Sequence, residues 1–165
     1  MKLLIIFVIL YGFCFSQNNL NNKQGYHVEQ IKSLSKLIQE EQVNTSYWGL
    51  YAERSFHKYH IGDNAGAISD CELLFKNKST DLDVCNCYNH IANSNFNLKE
   101  YYKAIEYWNK ALNCDDLQYS KKEIYYNLGS AHINIGNTKK GCLFYTKSGE
   151  LGYQKAYDAL YDFCK

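Results

Sequence analysis

One short segment concentrates the metal-binding side chains of this sequence. Cys85-Asn86-Cys87-Tyr88-Asn89-His90 places two thiols and an imidazole close together, and these are the groups that zinc prefers. On a helix, however, Cys85 and Cys87 point about 200° apart. They cannot both join His90 around one ion, so we interpret the segment as structural.

A second candidate is the histidine pair His57 and His60, which lie three residues apart. On a helix this spacing puts both rings on one face, where they could share an ion. The neighbouring sequence offers no third ligand. We therefore predict no metal site and no cofactor.

Signatures of catalysis are missing from the sequence. Nucleophilic catalysis needs a cysteine or serine beside a histidine and an orienting group, and no known local signature of this kind occurs. There is also no glycine-rich phosphate loop and no His-Glu-x-x-His motif. We predict no catalytic residues and a protein that is not an enzyme. The enzymatic alternative would require a closed polar pocket that holds a histidine.

The cysteines after residue 16 number six, which suits disulfides in an exported chain. Spacing alone does not fix their pairing. We select Cys142 with Cys164, because one lies on the second helix of the last repeat and the other ends a helix expected to pack on it. The remaining four are left open between disulfides and buried thiols; they are Cys71, Cys85, Cys87 and Cys114.

The elements that position these residues follow from a repeat of small side chains. Ser55, Ala92 and Gly129 are each 37 positions apart, as are Ala67, Ala104 and Gly141. A period in this range is typical of stacked helical hairpins, and small residues let helices approach closely. The sequence therefore predicts an all-α superhelix. Apolar spacing and turn residues place its helices at about 47–60, 65–76, 83–97, 99–113, 120–135, 138–148 and 153–163.

The sequence divides into four segments. We predict a signal peptide at 1–16, a disordered lead at 17–25, an N-terminal helix at 26–45 and a repeat domain at 46–165. The repeat domain comprises hairpin units at about 48–81, 85–118 and 122–152, and a capping helix at 153–164 that covers the last apolar face.

The chain resembles tetratricopeptide repeat proteins. In the third unit the resemblance rests on Tyr125-Tyr126-Asn127-Leu128-Gly129 and Ile135-Gly136-Asn137, and in the second on the run from Ala104 to Leu112. The period of 37 exceeds the usual 34 of the family, and there is no proline at the unit ends. The ending from Gly149 to Tyr157 is similar to closing repeats in exported tetratricopeptide proteins of Bacteroidetes-type bacteria.

The resemblance implies a non-catalytic scaffold that binds a protein or peptide on its concave face, lined by the first helix of each hairpin. The family's groove positions fall on aromatic residues, asparagines and a few others, which could bind an extended peptide. They are Phe56, Tyr59, His60, Asn89, Asn93, Phe96, Asn97, Tyr126, Ser130 and Ile133. The alternative is a structural or assembly role through the convex face or the ends, with no ligand in the groove.

One subset of the family clamps the carboxylate end of chaperone tails with basic and amide side chains. The corresponding positions carry no basic residue except a titratable histidine; they are Ala52, Phe56, His90, Glu123 and Asn127. Because Glu123 would repel a carboxylate, we expect a different kind of partner.

The first residues predict export. Met1-Lys2, an apolar run from Leu3 to Phe15 and the small Ser16 fit a signal peptide cleaved between Ser16 and Gln17. The run is too short for a membrane span, so we expect none after cleavage. Loss of Lys2 leaves equal numbers of basic and acidic residues, which disfavours nucleic acid as a partner. The expected location is periplasmic or extracellular; the partner and oligomeric state stay open.

Overall fold

The chain is described by a computed structural model that covers residues 22–40, 48–76, 81–114 and 121–164. All regular secondary structure in those ranges is helical, which confirms the predicted all-α superhelix. The helices are α1 (22–40), α2 (Gly49–His60), α3 (Asn64–Lys76), α4 (Asp81–Asn97), α5 (Tyr101–Leu112), α6 (Lys121–Asn134), α7 (Thr138–Glu150) and α8 (Gln154–Phe163).

The helices stack as three hairpins, α2 with α3, α4 with α5 and α6 with α7, and α8 packs on α7. Neighbouring hairpins meet where α3 contacts α4 and where α5 contacts α6. The first helices of the first two hairpins also touch each other, since α2 contacts α4. The first helices therefore share one face of the stack, which we call the concave face.

The N-terminal helix differs in detail from its prediction. Residues 22–25 are already helical, whereas we placed them in a disordered lead. The polar residues Lys23 and Gln24 extend the amphipathic helix by one turn, and such ends are hard to locate from sequence. The predicted signal peptide, most of the lead and the end of this helix at 41–45 lie outside the described residues.

Small side chains line the helix contacts, as the repeat predicts. All six repeat positions are buried, and Ser55, Ala67, Ala92 and Ala104 are 0% exposed. A Cβ atom at Gly141 would lie 3.0 Å from the backbone oxygen of Gly129. The two helices of the third hairpin thus approach as closely as glycine permits.

The turn inside each hairpin uses a left-handed residue at the same repeat position. Gly62, Lys99 and Gly136 have φ angles of 85°, 63° and 78°, and they are spaced by the 37-residue period. The residue after each one donates a backbone hydrogen bond to the last turn of the preceding helix. In the third hairpin, the N–H of Asn137 donates to the carbonyl of His132 at 2.8 Å. Glycine adopts this conformation without strain, but lysine does not. The left-handed Lys99 explains why α5 begins at Tyr101, later than predicted.

Two apolar clusters fill the stack. The larger lies around Trp108, Ile124 and Leu128 and joins α4, α5 and α6. The smaller lies around Leu74, Cys87 and Ile91 and joins α2, α3 and α4. No helix in the described ranges is long and apolar enough to cross a membrane.

Candidate functional site

A cavity of about 590 Å³ opens on the concave face between α1, α2 and α4. Its lining includes three of the five positions that the sequence comparison with carboxylate clamps picked out, namely Ala52, Phe56 and His90. The complete lining is Tyr26, Gly49, Ala52, Glu53, Phe56, His57, Asp83, Asn86 and His90. The helix α1 supplies Tyr26, and the other lining residues come from α2 and α4.

The charged groups in this lining are carboxylates. Glu53 is exposed on α2, and the Asp83 carboxylate lies against the first turn of α2, where a Cβ on Gly49 would be 3.2 Å from its Oδ2 atom. Burial lowers the pKa of His90 to about 3. Burial and the neighbouring His27 lower the pKa of His57. Both imidazoles are therefore neutral near pH 7, and Glu53 and Asp83 are the acidic residues of the lining.

A histidine contact holds α1 against α2. The Nδ1 atoms of His27 and His57 are 2.7 Å apart, and the ring centroids of His27 and His60 are separated by 4.8 Å. A pocket of about 280 Å³ lies beside them, lined by Lys23, Gln24, His27 and His60. His27 is therefore a third imidazole beside His57 and His60. The sequence around those two residues does not show it, because His27 lies 30 positions before His57.

The predicted groove residues of the first hairpin lie at this end of the concave face. Phe56 lines the cavity and packs against His60 with ring centroids 4.2 Å apart. His60 is exposed. Tyr59 is partly buried and hydrogen-bonds to Asn97 of the next hairpin; burial raises the pKa of its hydroxyl. All three remain accessible to a ligand to some degree.

The predicted residues of the second hairpin divide into interior and surface groups. Asn89 is only 3% exposed, so its side chain has no surface to offer a peptide. Asn93 accepts a hydrogen bond from Trp108 Nε1 at 3.1 Å, and Phe96 packs on Trp108 with centroids 5.7 Å apart. Asn97 is exposed and donates to Asn64.

The predicted residues of the third hairpin are partly buried. Tyr126 packs between Tyr145 and Tyr153. Ser130 accepts a hydrogen bond from the Tyr145 hydroxyl at 3.1 Å. Ile133 lies against Gly141. These side chains contribute both to the packing of the third hairpin and to the concave face.

Two disulfides tie helices together. Cys142 and Cys164, the pair we selected, are bonded, with Cα atoms 5.7 Å apart. Cys85 and Cys114, which the sequence left open, are also bonded, with Cα atoms 6.0 Å apart. Cys71 and Cys87 are free and buried. The opposite directions of Cys85 and Cys87 on α4 bring Cys85 to Cys114, just beyond the end of α5, and Cys87 to Cys71 on α3.

The free thiols belong to a buried cluster that sequence reasoning missed. Ligand atoms of Cys71, Cys87 and His90 all lie within 4.8 Å of one another. The Ser55 hydroxyl is 2.7 Å from His90 Nδ1 and 3.1 Å from Cys71 Sγ. The missing residue was Cys71, which is on α3 and far from His90 in sequence. The 37-residue repeat could have predicted this contact. Trp108 and Ile124 follow Cys71 and Cys87 by 37 positions each, and they belong to one apolar cluster in the next unit.

Comparison with known proteins agrees with this architecture. Residues 86–115 and 122–151 each match the family model for the tetratricopeptide repeat. The chain is also similar to the crystal structure of MamA, with a TM-score of 0.64 and 19% identity over 77% of this chain and 70% of that chain. No curated protein sequence matches this chain significantly. Two of the three hairpin units thus match the tetratricopeptide repeat model, and the likeness to MamA shows a shared helical fold.

Proposed function

We propose that this tetratricopeptide-type chain binds an extended segment of a partner protein on its concave face and takes a basic side chain of that segment into the cavity between α1, α2 and α4. The observation that carries the proposal is the position of Glu53 and Asp83 in the lining of that cavity. A buried or half-buried lysine or arginine needs an opposite charge nearby to offset its desolvation.

The neutral histidines of the cavity support the same choice of ligand. If His57 and His90 carried charge, they would repel a cation. Because burial keeps both neutral, they add no positive charge to a lining that contains two carboxylates. An acidic ligand, such as the carboxylate end of a chaperone tail, would meet repulsion here.

Side chains beyond the cavity provide the rest of the contact surface. His60 and Asn97 are exposed on successive first helices, and Tyr59 is partly exposed between them. Asparagine can both donate to and accept from a peptide backbone, and the tyrosine ring adds apolar contact. An extended peptide could therefore run from the cavity across the first two hairpins.

The test measures how binding depends on charge. The probes are short fluorescent peptides of random flanking sequence with lysine, arginine, alanine or glutamate at the centre, and binding is followed by anisotropy. We expect the lysine and arginine sets to bind at least about tenfold more tightly than the glutamate set. Glu53→Gln together with Asp83→Asn should abolish that preference.

The matched control is Glu72→Gln, which removes an exposed carboxylate from α3, outside the cavity. It should leave the preference intact, and circular dichroism should show all variants folded. Tightest binding by the glutamate set, or an equal effect of Glu72→Gln, would reject the basic-ligand proposal. Unchanged binding in a further variant, Asn97→Ala, would remove the second hairpin from the contact surface.

A second candidate function is self-assembly through the C-terminal end of the stack. The helix α8 exposes Tyr157, Tyr161 and Phe163, which are 51%, 72% and 49% exposed. Aromatic side chains in such a patch favour contact with another protein. Light scattering tests this candidate: a dimer that dissociates in Tyr161→Ser would support it, and a monomer at high concentration would exclude it.

Export belongs to the proposal as well. The signal-like pattern at 1–16 supports it, and the two disulfides suit an oxidising compartment. Amino-terminal sequencing of the protein isolated from its source should begin at Gln17. A chain that keeps Met1 in the cytoplasm would contradict export.

A further inference from the structure

We propose that Cys71, Cys87 and His90 form a binding site for a thiophilic divalent cation of the Zn²⁺ class, through two sulfur atoms and one imidazole nitrogen. The site would join α3 to α4 behind the wall of the cavity. This inference is independent of the proposed peptide binding, because it concerns groups in the interior of the stack.

The geometry suits a small ion. The three ligand atoms lie within 4.8 Å of one another, whereas ligands around a tetrahedral Zn²⁺ at ~2.0–2.3 Å are about 3.5 Å apart. Small side-chain rotations would close that difference. Cys71 and Cys87 are 0% exposed and His90 is 3% exposed, so the site lies in the interior of the stack.

The repeat provides an internal comparison for these positions. One period later, Cys71 corresponds to Trp108, Cys87 to Ile124 and His90 to Asn127. Trp108 and Ile124 are each 1% exposed and pack together in the larger apolar cluster. The junction of α3 with α4 thus has two thiols where the next junction has large apolar side chains. A bound cation would replace the lost apolar contact with a direct link between the helices.

The charge balance favours a divalent ion. On binding, the S–H bonds of Cys71 and Cys87 break, both protons leave to solvent, and two sulfur–metal bonds form while the neutral imidazole donates a lone pair. Two thiolates and one divalent cation sum to zero, which suits a buried position. Ser55, which lies 2.7 Å from His90 Nδ1, would orient the imidazole.

The cavity offers the ion a route and a fourth ligand. His90 lines the cavity and also belongs to the cluster, so its imidazole lies at the boundary between the thiols and that space. Water from the cavity can occupy the fourth position, as it does in zinc sites with three protein ligands. Glu53 and Asp83 in the same lining attract a cation toward the entrance.

The experiment uses the mature chain with its two disulfides intact and Co²⁺ as a spectroscopic probe for Zn²⁺. We expect native mass spectrometry to show about one ion per chain, with about two protons released on binding. We also expect sulfur-to-cobalt charge-transfer bands and strong visible bands of tetrahedral cobalt.

Two variants introduce residue types that the next unit carries. Cys87→Val supplies a β-branched apolar side chain like Ile124, and His90→Asn copies Asn127. Each should keep the helical circular dichroism but weaken Co²⁺ binding at least about a hundredfold and lose the bands. The matched control, Cys85→Ala with Cys114→Ala, removes two other cysteines and should keep the bands.

Three outcomes would overturn the proposal. The first is no bound ion at equimolar Co²⁺ or Zn²⁺ while both thiols are reduced. The second is a Cys71–Cys87 disulfide in the protein isolated from its source, detected as a mass change on reduction. The third is survival of the cobalt bands in Cys87→Val, which would place the ion at another site, such as the histidines of α1 and α2.

Discussion

The first and second hairpins have the same helical plan but are held together by different chemistry. In the first, Arg54 on α2 donates two hydrogen bonds to Asp70 on α3, at 2.8 and 2.6 Å, and Lys58 lies 2.9 Å from the same carboxylate. The second hairpin has Ile91 and Tyr107 at the positions of Arg54 and Asp70. Polar, directional contacts thus occupy one unit where apolar contacts occupy the next.

The polar character extends across the surroundings of the first hairpin. Arg54 also donates to Ser35 on α1 at 3.1 Å, and His27 contacts His57. The same region contains the cavity and the thiol cluster, whereas the larger apolar cluster lies between the second and third hairpins. The comparison teaches that a solenoid can keep its backbone plan in a unit that combines an apolar cluster with buried polar contacts. Both proposed binding sites lie in this polar unit.

The largest effect should come from removing the charge at the centre of the polar hairpin. Asp70 is 1% exposed, so Asp70→Asn leaves Arg54 and Lys58 without a partner charge and should cost about 3 kcal/mol of unfolding free energy. At the equivalent position of the second hairpin, Tyr107→Phe should cost less than about 1 kcal/mol. Urea denaturation measures both, and equal losses would mean that the two hairpins do not differ as described.

A smaller effect should follow from adding one methyl group to the third hairpin. A Cβ atom at Gly129 would lie 2.5 Å from the ring of Tyr145. That ring is 2% exposed and its hydroxyl is bound to Ser130, so it cannot move freely. Gly129→Ala should cost about 2 kcal/mol through overpacking.

The equivalent site of the second hairpin carries Ala92, which is 0% exposed. Ala92→Gly should also destabilise, by about 1 kcal/mol, because glycine weakens a helix. Thermal melting of both variants provides the check. If Gly129→Ala proved stabilising, the close contact between α6 and α7 would be looser than described.

One substitution should stabilise the protein. Lys99 has a φ angle of 63°, while its counterparts in the other hairpins are glycines. Lys99→Gly should raise the unfolding free energy by about 1 kcal/mol because the left-handed strain is removed. Lys103→Gly, at an exposed position inside α5, should instead lower it by about 1 kcal/mol. A loss of stability in Lys99→Gly would show that the lysine side chain matters more than its backbone.

The smallest effect concerns pH and α1. Burial is the main cause that lowers the pKa values of His27, His57 and His60; Lys23 lowers those of His27 and His60 further, and Glu53 acts in the opposite direction on His57. The unfolded chain therefore binds protons more readily than the folded one. The stability that these contacts provide is complete above a pH of about 6.5 and declines as the pH falls below it.

Amide exchange of α1 and α5 at pH 7.5 and pH 5 distinguishes the two regions. Protection of α1 should fall at the lower pH after correction for the intrinsic exchange rate. Protection of α5, which contains no histidine, should change less. His27→Gln should reduce the difference, and an α1 that is equally protected at both pH values would contradict this account.

Much of the fold could be predicted from the sequence. Helical periodicity, the glycines at 62 and 136 and the 37-residue repeat are local or regularly spaced signals, and they placed most helix ends within two residues of those observed. Local signals suffice there because helix and turn preferences depend mainly on neighbouring residues. The sequence alone thus determined the all-helical architecture, its hairpins and the burial of its small residues.

The tertiary structure decided which distant side chains meet. Cys71 joins Cys87 and His90, Cys85 reaches Cys114, and His27 reaches His57 only because several helices pack together. It also decided that Asn89 lies inside while Asn97 is exposed. The physical reason is that periodicity fixes the direction of a side chain on its own helix, whereas its partners depend on the rotation and distance of neighbouring helices, which the packing of the whole stack sets.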